Sequence, residues 1–102
     1  MAFLGLFVGI DRYASPHATW LHCAKRDATA LHALFADTLG PGALLLTDQQ
    51  ATKSAIEAHF DKLAQCSPDD VVVIGFSCHG TPTHELATYD ADPSNLANTA
   101  IP

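Results

Sequence analysis

A chain of 102 residues has room for one domain with a real core, but it is short for a complete α/β enzyme. Five Lys and Arg against eleven Asp and Glu give a net charge of −6, and no basic cluster exceeds Lys25-Arg26, so the electrostatic footprint of phosphate-backbone binding is missing. Residues 2–10 are the longest apolar run near the start; they are too short to cross a bilayer, with no basic region before them and no small-residue cleavage site after. The expectation is a soluble, unexported protein that binds neither nucleic acid nor membrane. Three cysteines without C-x-x-C spacing fit neither a disulfide framework nor a structural zinc site, and read as free thiols in a reducing cytoplasm.

The first element is "FLGLFVGI", residues 3–10, a continuous apolar run closed by Asp11-Arg12, which suits a strand buried on both faces. From residue 24 to 39, Ala24, Ala28, Leu31, Leu34, Phe35 and Leu39 recur at three- and four-residue steps until Gly40-Pro41-Gly42 stops them, which predicts an amphipathic helix. "ALLLTD", residues 43–48, reads as a second buried strand because it is too short for a helix. Thr52 or Ser54 can cap a second helix, the latter in a capping box with Glu57, and Ile56, Phe60 and Leu63 then share one face before Ser67-Pro68 ends it. "VVVIGF", residues 71–76, is β-branched and uninterrupted, the strongest strand signal in the chain. After Glu85 the sequence turns polar and turn-rich, with room for one short strand at residues 85–89. There are no repeats and no low-complexity segments.

This β-α-β-α-β order implies an α/β fold: a parallel sheet with right-handed crossovers and helices on its faces. Sites in such sheets form beyond the carboxyl ends of the strands. Asp11 and the run Ser77-Cys78-His79-Gly80 both fall there, so two distant stretches converge on one edge.

The adjacent pair Cys78-His79 raises the question of a catalytic dyad. A thiol nucleophile needs an imidazole within about 3 to 4 Å, whereas successive side chains of a strand point to opposite faces. Cys78 therefore reads as a small buried apolar residue. Cys78, His79 and His84 are possible metal ligands but match no zinc spacing. Spacing alone leaves His79 open between a satisfied strand-end histidine and a functional one.

Three stretches, taken in order, resemble the caspase-like clan of cysteine peptidases, in particular its bacterial metacaspase-type (orthocaspase) branch. They are "FVGIDRYASP" with "LHCAKRDATALHALF", then "LLLTDQQATKSAIEAHFDKLA", then "DDVVVIGFSCHGTPTHELATYDADP". Each is weak alone; the ordered set runs over nearly the whole chain. The resemblance implies a three-layer sandwich, a mostly parallel sheet with helices on both faces. Residues 1–102 would be its N-terminal, large-subunit part, in a single peptidase domain. It assigns the catalytic base to His79, where the family usually has S-G-H-G, and an oxyanion donor to the Gly80 N–H; Cys78 then stands in place of a glycine. His is suited to such work near neutrality, and backbone donors to the oxyanion.

The metacaspase branch cleaves after Arg or Lys, and the resemblance puts Asp27 and Ser77 in the substrate-binding pocket, while Ala24 stands where some relatives have a pocket cysteine. Asp27 is equally a first-turn acid favoured by the helix dipole. The family's nucleophile lies in a D-x-C-x-S-G-like segment, and no such segment occurs in these residues. The implied activity is a cysteine endopeptidase acting on protein or peptide substrates, here as a part that is inactive alone; the alternative is an inactive caspase-like module that binds partners. No cofactor or metal is implied. Calcium activates some metacaspases, but Asp90 and Asp92 do not match those positions and read as solvated loop acids. In the family's sheet the third strand is central, so "VVVIGF" would here be an exposed apolar edge, to be covered by a complementary small-subunit segment or by another copy of the chain.

Overall fold

The computed structural model describes residues 2–102. Three parallel strands, β1 (Phe3–Gly9), β2 (Ala43–Thr47) and β3 (Val71–Ser77), form one sheet in the order β2-β1-β3. Helix α1 (Ala24–Leu39) joins β1 to β2, and α2 (Lys53–Leu63) joins β2 to β3 after one 3₁₀ turn at Asp48–Gln50. A short helix α3 (Leu96–Thr99) lies in the final segment.

Period-two alternation of β1 decides which helix covers which face. Phe7, on one face, stacks on Phe35 of α1 at 5.4 Å between centroids and meets His32 edge-on at 6.1 Å. On the same face Gly9 lies so close to α1 that a Cβ there would come within 2.6 Å of the Ala28 Cβ and 2.7 Å of the Ala24 carbonyl oxygen. Leu6, Val8 and Ile10 turn the other way and join Ile56 and Leu63 of α2 in the main core. Phe60 of α2 reaches Phe76 of β3 at 6.2 Å. The sheet is thus sandwiched between α1 and α2, as the alternation of elements implies.

Differences from the sequence reading have local causes. β2 is an edge strand and only half buried, with Leu44 exposed, because nothing among the described residues pairs with its outer side. Of the two caps expected for α2, Thr52 is the one used, its hydroxyl accepting from the Ala55 N–H at 3.3 Å, and the Ser54–Glu57 alternative is not. Asp90 adds to this end, its Oδ1 accepting from the Lys53 N–H at 2.9 Å. The strand expected at residues 85–89 shrinks to two isolated antiparallel bridges, in which Leu86 faces Gly80 and Ile101.

Among the described residues β3 pairs only with β1, and its outer edge carries no strand. Val71, Val72 and Ile74 are exposed by 38%, 37% and 48%. With no charge, proline or bulge to blunt it, this edge has the character of an unprotected pairing surface.

Candidate active site

The carboxyl edge of the sheet is organised by carboxylates that tie loops to strand ends. Asp48 follows β2 at a φ of 45°, and its Oδ1 accepts from the N–H groups of Asp11 (3.0 Å) and Arg12 (3.2 Å), fixing the chain as it leaves β1. Asp11 in turn accepts from the Ala24 N–H at 2.8 Å, the first amide of α1, whose N-cap Cys23 offers no side-chain bond. Asp11 therefore converges on the predicted edge, but as a brace for α1.

This bracing sets the loop between β1 and α1 against the end of β3. The Tyr13 hydroxyl accepts from the His79 N–H at 2.9 Å, and the two rings lie 5.2 Å apart. His79 Nε2 sits 2.7 Å from the Thr19 carbonyl oxygen. A carbonyl can only accept, so Nε2 carries the proton; in the neutral ring Nδ1 is left as the lone-pair nitrogen. Burial pushes the Tyr13 hydroxyl up to about 12, against the opposing effect of its His79 bond, so it stays protonated near neutrality.

Cys78 behaves differently from its neighbour. It packs against the main core, and burial pushes its thiol up to about 11. A thiolate is disfavoured there, and the His79 ring is held by Tyr13 and Thr19. Cys23 and Cys66 are exposed, and all three thiols are free.

Gly80 faces Leu86 between two hydrogen bonds, from the Ala87 N–H to the His79 carbonyl (2.9 Å) and from the Thr81 N–H to the Glu85 carbonyl (3.0 Å). In that arrangement the Gly80 N–H points away from Leu86, and it has no acceptor among the described residues. The turn beyond is stiffened by the Thr81 and Thr83 hydroxyls donating to the Glu85 carboxylate, which they hold below the usual carboxylate range, the Thr81 bond most. His84 takes the left-handed conformation in this turn, at a φ of 67°.

Ser77 pairs with Gly9 in the parallel register. Cross-strand partners share a face of the sheet, so Ser77 belongs to the α1 face, beside the Gly9 that packs against the first turns of α1. Asp27 is exposed, with Arg26 Nε 3.7 Å away. His79 and Gly80 instead border a cavity of about 210 Å³ that is also walled by Tyr13 and Thr19; neither Asp27 nor Ser77 lines it. A second, polar cavity of about 500 Å³ lies on the β2 side, where the Arg12 guanidinium rests 5.0 Å above the Trp20 ring and Lys25 Nζ approaches Asp48 at 3.9 Å.

Among the described residues no group of three His, Cys, Asp or Glu side chains converges to hold a metal. Asp90 and Asp92 are exposed yet engaged, Asp90 with the Thr88 hydroxyl (2.8 Å) as well as α2, and Asp92 with the N–H (2.9 Å) and hydroxyl (2.7 Å) of Ser94. They are structural acceptors and not simply solvated acids.

The site is thus the end of one strand of a parallel α/β sheet, where a histidine ring is oriented by a backbone carbonyl and the next residue's amide has no acceptor among the described residues. The family model described as caspase domain matches residues 3–100, and the chain belongs to that family. Neither the curated proteins nor the solved structures gave a match. Among the described residues no helix is long and apolar enough to cross a membrane.

Proposed function

We propose that this chain carries the general base, the oxyanion donor and part of the specificity pocket of a metacaspase-type cysteine endopeptidase that cleaves after Arg or Lys. The observation that carries this reading is the 2.7 Å contact of His79 Nε2 with the Thr19 carbonyl, which leaves Nδ1 as the acceptor. The nucleophilic cysteine comes from a strand outside these 102 residues, laid along the free edge of β3 by a complementary segment or another copy of the chain.

In this reading Nδ1 takes the thiol proton as sulfur bonds to the scissile carbonyl carbon. The oxyanion that forms accepts from the Gly80 N–H, preorganised on the bridge to Leu86. His79 then passes the proton to the departing amine as the C–N bond breaks, and water, deprotonated by the same ring, hydrolyses the thioester. The Asp27 carboxylate, open to solvent on α1, pairs with the basic side chain of the substrate, and Ser77 contributes from the same face of the sheet. Three free thiols favour a cytoplasmic setting.

The second reading, an inactive module that binds partners, is favoured by one observation: no thiol is hydrogen bonded to the His79 ring among the described residues. The discriminating experiment is cleavage of an Arg-containing peptide by the chain complemented with the nucleophile-bearing strand. His79→Ala is expected to lower kcat about 10²- to 10⁴-fold, while Cys78→Ala leaves it nearly unchanged. Loss of activity in the Cys78 variant alone contradicts the assignment, and no cleavage by the complemented parent favours the module.

A further inference from the structure

The cavity beside His79 is lined by no charged side chain; its apolar walls are Ala18, Pro82, Ala87, Ala91, Pro93 and Leu96. Ala87, Ala91 and Tyr13 belong to the buried core on the α2 side, and Ala18 and Leu96 pack against it. Ser77 and Asp27, by contrast, stand on the α1 side, as the pairing of Ser77 with Gly9 and the closeness of Gly9 to Ala28 and Ala24 require. The histidine edge separates the two.

A base that returns its proton to the departing amine must lie on the amine side of the scissile bond. With the basic acyl-side residue drawn to the α1 face, the chain leaving across His79 runs toward the opposite face, where the cavity opens. We propose that this cavity is the subsite for the first residue on the leaving-group side, and that it selects an apolar side chain of about the size of leucine. The proposal rests on His79 as the base. At about 210 Å³ the space is smaller than a pocket for a drug-sized ligand, typically about 300–1,000 Å³, and fits a single side chain. A charged side chain would lose much of its water there, and beside a neutral His79 ring the lining offers it no opposite formal charge.

The test uses the chain itself and short peptide amides with a free α-amine, which mimic the leaving product: Leu-Ala-amide, Gly-Ala-amide and Glu-Ala-amide, titrated into isotope-labelled protein and followed by amide NMR. The leucine peptide is expected to shift the Gly80, Ala87, Ala91 and Leu96 signals and to bind at least about tenfold more tightly than the other two. Ala91→Leu, which fills the cavity, removes that preference; if this buried substitution prevents folding, Ala18→Leu at the less buried wall carries the same test. Equal affinity of the leucine and glutamate peptides, or shifts confined to the α1 face, overturns the proposal. Because the titration involves no cleavage, its failure leaves the base assignment to the His79→Ala assay. A failed base assignment likewise leaves the side-chain preference of the cavity standing.

Discussion

β1 and β3 are seven-residue strands lying side by side in matched register, yet Leu6 of β1 is fully buried while its partner Ile74 in β3 is 48% exposed. Both are rich in apolar residues, so composition does not explain the contrast. Position does: β1 is paired on both edges and sandwiched between α1 and α2, whereas β3 has one paired edge. The central strand holds the fold together, and the half-covered strand delivers Ser77, His79 and Gly80 to its carboxyl end. The same residue types serve stability in one strand and remain available for association in the other.

Truncating the register partners in turn should have very unequal effects. Leu6→Ala is expected to cost about 2–5 kcal/mol in urea denaturation, as for a fully buried leucine, and Ile74→Ala about 1 kcal/mol or less. Ile74→Lys should leave stability close to that of the parent while lowering the apparent mass in light scattering, because a charge on the edge opposes strand pairing. Equal losses for Leu6 and Ile74, or an association insensitive to Ile74→Lys, would erase the distinction between the strands.

A smaller effect is expected from the two groups buried near the strand ends. Burial raises the Cys78 thiol from 9.0 to about 11 and the Tyr13 hydroxyl from 10.0 to about 12. Both groups hold their protons more tightly folded than unfolded. Their contribution to stability is therefore complete below pH 9.0 and is lost as pH rises through the two folded values. The urea midpoint should fall across that alkaline window, and Cys78→Ala should remove the earlier part of the fall. A midpoint that rises with pH in that window contradicts the burial of both groups.

Much of the fold was legible because its signals are local. Glycine and proline after Leu39 end α1 where the pattern stops, and the unbroken run from Val71 marks β3. The exposure of β2 and β3 was less accessible, since an apolar strand looks the same in sequence whether or not a neighbour covers it. Resemblance to the family pointed to His79 and Gly80, but Tyr13 and Thr19 escaped notice. Thr19 acts through its backbone carbonyl, which no side-chain pattern encodes, and Tyr13 reaches His79 across 66 positions of sequence. Asp48 escaped for a similar reason, because its role is to brace two amides 36 and 37 positions away. A tyrosine close behind a buried strand, in a loop facing a second strand's end, was the one usable hint.

Thr19 holds His79 Nε2, which leaves Nδ1 as the lone-pair nitrogen of the neutral ring. Long-range ¹H–¹⁵N correlation of the histidine rings, assigned by comparison with His79→Gln, reads the protonation of each nitrogen directly under alkaline conditions that keep the ring neutral but leave the fold intact. Protonated Nε2 with bare Nδ1 is the result expected from the 2.7 Å contact to the Thr19 carbonyl; protonated Nδ1 with bare Nε2 would contradict it.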